Sequence, residues 1–326
     1  MTAPLTCWVL SDGRRGIENQ ALGLAEAAAR LRPLTVKKQV IKSQGLFDKS
    51  PAGLQFALKS SPGDYGLEAP FPEIAIGCGR QAIAPLRALK AAKGDAVFTV
   101  YIQDPKLDPD AFDLVIAPAH DALFGQNVET IIGSPNRVTP EILRIAAERF
   151  AAQTDALPAP RVAVLIGGPS KHHKLTPDMH AAHIASLESM LAQGHGIMLS
   201  TSRRTPDWAA ADYRNMAKGR SDIWFYDGGN DNPYFAFLGA ADAICVTEES
   251  TNMLTEACVT GKPVFRLPMD GAPGKFDSLY ADLEKRCGVT RYSGALSAPA
   301  YAPLDETRAA AARLWARFDA RSAAVN

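Results

Sequence analysis

Cysteine is scarce and unpatterned in this sequence. Its five cysteines (Cys7, Cys78, Cys245, Cys258 and Cys287) are odd in number, scattered, and form no CxxC pair. That excludes a disulfide scaffold and a cysteine zinc site; reduced, mostly buried thiols in a cytoplasmic protein are expected. Net charge is lacking too, since 35 Lys and Arg balance 35 Asp and Glu. Neither half of the chain carries a polybasic or acidic block, which excludes bulk electrostatic binding to nucleic acid. No apolar run approaches the roughly 18 residues of a membrane-spanning helix. The short run Cys7-Trp8-Val9-Leu10 has no basic segment before it and reads as a first strand, so no signal peptide is expected. What is present is an ordinary globular composition, 47% apolar and 21% charged over 326 residues. A disordered chain lacks that apolar content, and this length suits two domains.

Short apolar runs alternate with alanine-rich helical stretches. In the first half, strands are predicted over 6–10, 35–41, 74–77, 97–102 and 114–117, and helices over 18–31, 81–92 and 140–152. Residues 153–160, with Pro158 and Pro160, read as a linker. The pattern then restarts. Strands are predicted over 162–166, 196–200, 223–226, 243–247 and 263–267, with helices over 177–193, 206–218, 233–239, 251–260, 279–286 and 305–321. Continuous apolar strands alternating with helices make parallel sheets covered on both faces. The expected fold is therefore α/β: two doubly wound, Rossmann-like parallel-sheet domains facing a cleft. Their predicted extents are 1–153 and 161–303, with 304–326 as a closing helix. Ligands of such sheets bind beyond the C-terminal ends of the strands, near the switch point of strand order. The loops that follow strands are the places to look for chemistry.

Four of these loops are unusually polar. The first, Ser11-Asp12-Gly13-Arg14-Arg15-Gly16-Ile17-Glu18-Asn19-Gln20, joins the first strand to the first helix. It is not a GxGxxG, so a dinucleotide site is not indicated, and it can also be a solvated turn capped by Asp12. The second is Gly167-Gly168-Pro169-Ser170-Lys171-His172-His173. Backbone amides of a Gly-Gly turn can cradle a diphosphate, with Ser170 and Lys171 adding a hydroxyl and a charge. Adjacent histidines on a loop are more often surface residues than metal ligands, and no metal site is expected. The third, Thr201-Ser202-Arg203-Arg204-Thr205-Pro206, offers two arginines to a phosphate or carboxylate, or only surface charge. The fourth, Val246-Thr247-Glu248-Glu249-Ser250-Thr251, ends a strand and starts a helix. Ser250 can cap that helix, whose N-terminus attracts phosphate. Glu256, further along it, can accept two hydrogen bonds from a ribose diol. In the first half, Gln103-Asp104-Pro105 and Pro118-Ala119-His120-Asp121 also follow strands, and His120 with Asp121 can form an acid–base site or be structural.

The fourth segment, with Ser250, Thr251, Glu256 and the step Gly261-Lys262-Pro263, resembles the donor-nucleotide site of GT-B glycosyltransferases. Gly167-Gly168-Pro169-Ser170 is similar to the GG-x-S loop of the same enzymes. A narrower resemblance runs through nearly the whole chain. It rests on residues 11–20, Gln103-Asp104-Pro105, Pro118-Ala119-His120-Asp121, Ser202-Arg203-Arg204-Thr205-Pro206 and 256–263. These resemble the plant mitochondrial-fission "elongated mitochondria" family and its bacterial relatives, which are described as glycosyltransferases or, in some cases, nucleoside-diphosphate-sugar epimerases.

The resemblance implies a GT-B-like fold and three functions. The first is an inverting, metal-independent glycosyltransferase of cell-envelope glycans or lipids, with a nucleotide sugar as substrate and no cofactor. The donor side would use Gly167, Gly168, Ser170, Lys171, Arg203, Arg204, Ser250, Thr251 and Glu256. The acceptor loop would be Gly13, Arg14, Arg15, Gly16, Asn19 and Gln20, with a base among Asp12, Glu18 and Asp104. The acceptor is open and can be lipid-linked, which would place the protein in the cytoplasm or at the inner face of the membrane. The second function is a nucleoside-diphosphate-sugar epimerase using His120 and Asp121. The third is a non-catalytic adaptor that reaches a membrane through Arg313, Arg317 and Arg321 on the last helix, beside Leu314, Trp315 and Phe318. That helix can equally pack as a closing element across the two domains.

Overall fold

The computed structural model describes residues 4–42, 52–226, 228–271, 274 and 276–325. The chain forms two compact units, one of 1–137 with 305–326, the other of 138–304.

The first unit begins β1 (Leu5–Ser11), α1 (Arg15–Leu31), β2 (Leu34–Val40) and α2 (Ala52–Leu58). It continues β3 (Ile74–Cys78), α3 (Arg80–Lys93), β4 (Phe98–Ile102), β5 (Leu114–Pro118) and β6 (Val128–Ile131). The strands lie in the order β2-β1-β3-β4-β5-β6, and every pairing is parallel. Side chains alternate across this sheet, as a period of two requires. Cys7, Val9, Ile74, Ile76, Val100 and Ile116 face the core under α1. Trp8, Leu10, Ala75, Tyr101, Val115 and Ala117 face the opposite core, under α3. Both faces are buried, which is why β3, β4 and β5 read as unbroken apolar runs.

The second unit holds α4 (Pro140–Arg149), α5 (Ala151–Thr154), β7 (Arg161–Ile166), α6 (Pro177–Ala192), β8 (Gly196–Thr201), α7 (Asp207–Ala217) and β9 (Ile223–Tyr226). It continues α8 (Tyr234–Ala240), β10 (Ala243–Thr247), α9 (Thr251–Cys258), β11 (Val264–Leu267), α10 (Phe276–Cys287) and β12 (Thr290–Arg291). Its strand order is β12-β11-β10-β7-β8-β9. In the unit's own count this is 3-2-1-4-5-6 read from the far edge, the doubly wound order that reverses between its first and fourth strands. Here that reversal falls between β7 and β10, which pair in parallel with Val164 opposite Cys245.

Most predicted elements are present with ends shifted by up to four residues. The strands β6 and β12 and the helix α2 were not predicted. β6 is a half-exposed edge strand of sequence VETI, and β12 has only two residues. The division between units falls at 137/138, not in the linker placed at 153–160. Helix α4 packs against α8: Gly239 approaches the Leu143 carbonyl so closely that a β-carbon there would lie 2.6 Å away. Its N-cap Thr139 accepts the Ile142 amide.

The closing helix, α11 (Glu306–Val325), is an integral part of the first unit. Ala310, Ala311, Leu314 and Trp315 are buried in the same core as Leu24 and Ala28, and the Trp315 indole donates to the Ala28 carbonyl at 3.0 Å. The three arginines considered for membrane contact are engaged within that unit. Arg317 reaches Glu129 at 2.8 Å, Arg313 the Thr130 carbonyl at 2.7 Å, and Arg321 the Val97 carbonyl at 3.1 Å. They dock α11 onto the sheet. Among the described residues no helix is long and apolar enough to cross a membrane. All five cysteines are free and buried.

Candidate functional site

In the second unit, three loops meet at the strand-order reversal: those after β7, β8 and β10. They are tied together by short-range bonds from residues far apart in sequence. The Gly167 amide donates to Thr247 Oγ1 at 2.7 Å, and the Gly168 amide to Glu249 Oε1 at 2.9 Å. Arg204 donates to the same Glu249 oxygen at 3.2 Å and to the Gly168 carbonyl at 3.1 Å. The Thr205 hydroxyl donates to the Gly167 carbonyl at 2.5 Å.

The two glycines are there because the loops touch. A β-carbon on Gly167 would lie 1.7 Å from Glu249 Oε1, and one on Gly168 would lie 2.1 Å from the Arg204 carbonyl. Their amides are spent on Thr247 and Glu249, so their part is to shape the loop. The diphosphate cradle expected from the Gly-Gly pair is thus occupied from within.

Glu249, which sequence reading did not single out, is the hub of this arrangement. Its side chain is fully buried, and burial pushes its carboxyl above the usual carboxylate range, against the pull of Thr247, Arg204 and the Gly168 amide. Its second oxygen, Oε2, is buried with no hydrogen-bond partner. The adjacent Glu248 turns the other way and is a structural anchor. It accepts the Met269 amide at 2.9 Å and Arg291 at 3.1 Å, while its carbonyl takes the Tyr280 hydroxyl at 2.7 Å. Nothing in sequence distinguished these neighbouring glutamates, because the β10 register alone decides which of them faces β7.

Ser250 sits at the N-cap of α9, but its hydroxyl makes no capping bond. Ser170 is committed elsewhere: its Oγ accepts the amides of His172 and His173 at 3.2 and 3.1 Å, closing a tight turn. His173 is buried, and that burial lowers its pKa. Lys171 and Arg203 are exposed, with no partner among the described residues. Thr251 and Glu256 lie on α9 itself. Glu256 is half-buried and accepts the Tyr234 hydroxyl from α8. Burial pushes its carboxyl up to about 7, the Tyr234 hydroxyl pulling the other way. In the step after α9, the Lys262 ammonium caps α8 through the Leu238 carbonyl at 2.9 Å, and burial lowers it to about 8.

In the first unit, strand order reverses between β1 and β3. The loop after β1 is internally braced. The Ser11 hydroxyl donates to Glu18, which also meets Lys38 at 3.4 Å, and Asp12 accepts the Arg14 amide at 3.0 Å and pairs with its guanidinium. Gly13, Arg14, Arg15 and Gly16 are exposed, and Asn19 is half-buried. Gln20 is buried and acts as a junction, its Oε1 accepting from Cys78 Sγ and Gln103 Nε2, both at 3.3 Å. It thereby joins α1 to the ends of β3 and β4.

Asp104 accepts the Lys106 amide at 2.7 Å and pairs with its ammonium. His120 and Asp121 share a short turn after β5, both half-buried. Asp104 and, more weakly, Asp121 raise the Lys106 ammonium, so both carboxylates lie within its reach. Among the described residues, three that are not glycine have φ in the left-handed region, Gln103 at 90°, Lys106 at 58° and Ala122 at 50°. All three fall in the loops after β4 and β5, and strain of this kind concentrates at functional edges.

The fold is matched by solved structures of sugar-nucleotide enzymes. The UDP-GlcNAc 2-epimerase of Methanocaldococcus jannaschii superposes with a TM-score of 0.58 at 9% identity, covering 96% of this chain and 99% of that one. The Neisseria meningitidis UDP-GlcNAc 2-epimerase bound to UDP-GlcNAc does so with a TM-score of 0.53 at 10% identity, covering 97% and 92%. The architecture is GT-B-like, two Rossmann-like parallel-sheet domains in tandem.

In sequence, the chain is 28% identical over 276 residues to the mitochondrial fission protein ELM1 of Arabidopsis thaliana, covering 77% of this chain and 65% of the plant protein. It is 25% identical over 318 residues to the uncharacterized protein RP120 of Rickettsia prowazekii, covering 80% of this chain and 82% of that one. The model of the mitochondrial fission ELM1 family matches residues 15–318, and the chain belongs to that family.

Proposed function

We propose that this protein binds a nucleoside-diphosphate sugar in its second unit and transfers the sugar to an acceptor held by its first, as an inverting, metal-independent glycosyltransferase. The observation that carries the reading is the β10–α9 junction. There the first turn of α9 has no side-chain cap, Arg204 lies on the adjacent loop, and Glu256, further along α9, is positioned by Tyr234 of α8. The positive end of α9 suits a diphosphate. Arg204, with the exposed Arg203 and Lys171, supplies the charge that stabilises a departing diphosphate. The Glu256 carboxylate, when ionised, can accept both hydroxyls of a ribose.

In the transfer, an acceptor hydroxyl oxygen attacks the anomeric carbon while its bond to the diphosphate breaks, and configuration inverts. The hydroxyl proton passes to a base drawn from Asp12, Glu18 and Asp104. Epimerisation is the second reading, favoured by the placement of His120 and Asp121 on one turn at the same sheet edge as Asp104.

The test is thermal denaturation of the full chain against UDP-, GDP-, ADP-, CMP- and dTDP-sugars without added metal. A ligand that binds only the native state raises the melting temperature. One nucleotide class should do so, and Glu256→Ala should abolish the shift while remaining folded. No shift with any of these sugars on well-folded protein overturns the proposal in favour of an adaptor. Incubating the bound nucleotide sugar alone in deuterated water separates the two enzymatic readings, since solvent deuterium enters the sugar only in epimerisation.

A further inference from the structure

A cavity lies between the outward faces of α6 and α7 in the second unit. Its volume is about 620 Å³, and its lining includes His180, Ile184 and Glu188 from α6, and Trp208, Asp212 and Met216 from α7. The spacing explains the shape. Positions 180, 184 and 188, and likewise 208, 212 and 216, recur every four residues, so each helix presents one continuous stripe. The volume falls in the range of small-molecule sites.

Its chemistry is specific. Trp208 is 44% exposed, unusual for so large an apolar side chain. The His180 ring stands edge-on to it, with centroids 5.0 Å apart and planes at 86°. Two carboxylates, Asp212 and Glu188, lie on the lining, and no lysine or arginine does. Glu188 feels Arg220, but that guanidinium is spent on Asp222 through two bonds of 2.7 Å.

His180 is only 5% exposed. Its Nε2 meets Asp212 Oδ2 at 3.1 Å, and its Nδ1 faces away from that carboxylate. That Nδ1 is buried with no hydrogen-bond partner, a costly state for a polar atom. An aromatic face, two carboxylates and an apolar trough together describe one kind of guest.

We propose that the α6–α7 cavity is a binding site for a small organic cation with an apolar body and at least one N–H, an aryl- or alkyl-ammonium or a guanidinium. The cation lies against the Trp208 ring and pairs with Asp212 and Glu188. The apolar body covers Ile184 and Met216.

The experiment uses the full chain labelled with 5-fluorotryptophan, whose four indoles give separate fluorine resonances. Trp208→Phe identifies the one that matters. The probe is 2-phenylethylammonium, and 2-phenylethanol is its neutral counterpart. The Trp208 resonance should move saturably with the cation, and the alcohol should bind at least about tenfold more weakly, as loss of a partly desolvated cation–π and ion-pair contact requires. Asp212→Asn and Glu188→Gln, at exposed carboxylates, should each weaken binding of the cation by several-fold with the melting temperature unchanged. A Trp208 resonance that stays still, equal binding of the alcohol, or full affinity in both carboxylate variants overturns the proposal.

Discussion

Gly168 donates its amide to Glu249 Oε1 at 2.9 Å, joining two loops that lie 81 residues apart in the chain. The contact makes the Gly-Gly turn a packing device. It also puts a buried carboxylate, with one oxygen unsatisfied, at the place where the second sheet reverses its strand order.

Substitution of these glycines should therefore be costly for a reason unrelated to ligands. Gly168→Ala places a methyl 2.1 Å from the Arg204 carbonyl, and we expect a loss of about 1–3 kcal/mol from overpacking. Gly16 is the contrast. It lies in the first turn of α1 with nothing within 4 Å of its would-be β-carbon. Gly16→Ala should be neutral or stabilise by about 0.5–1 kcal/mol. Urea denaturation of the two variants beside the parent protein measures both.

Glu256 sets a pH dependence. Its folded-state pKa of about 7 lies above the ordinary 4.5, so the folded state holds the proton more tightly than the unfolded state does. The stabilisation this gives is complete below about 4.5, falls as pH rises through about 7, and is absent above. Relative to Glu256→Gln, which has nothing to titrate, the parent protein should lose about 1–3 kcal/mol across that window. Denaturant titrations at pH 4.5, 6 and 8 check it; a constant difference between the two proteins would contradict the burial of this carboxyl.

Helix α11 should behave as core. Trp315 is 3% exposed and bonded to the Ala28 carbonyl. Trp315→Ala should cost about 3–5 kcal/mol. Arg317→Ala removes only a half-exposed ion pair with Glu129 and should cost under about 1 kcal/mol. Thermal denaturation of both variants shows whether the helix is held by its apolar face or by its arginines.

The parallel strands were legible because both faces of each sheet are covered. Runs such as IAIGC and FTVYI must be buried on both sides, and only the ends of the elements moved. Of the four edge strands, β2 and β9 were legible and β6 and β12 were not: VETI in β6 has one buried residue in four, and β12 has only two residues. At the candidate site, the loops after β7, β8 and β10 that the sequence singled out do meet, but several of their atoms are engaged otherwise than expected. Ser170 looks like a phosphate donor until the turn to His173 consumes its hydroxyl. The Gly167 and Gly168 amides look free until Thr247 and Glu249 arrive from β10. Such partners are set by strand register between segments some 80 residues apart, which no local pattern records. The bracing of Glu256 by Tyr234 spans 22 residues and is equally invisible to spacing rules.

The return of α11 to the first unit also orders the making of the protein. As the chain leaves the ribosome, β1 through β6 emerge first, yet the wall of Leu24 and Ala28 waits for Ala310, Leu314 and Trp315. Between them the entire second unit, 138–304, must be synthesised. Throughout that interval the first unit carries an uncovered apolar face, of the kind chaperones bind. The second unit, continuous in sequence, can finish folding before the first.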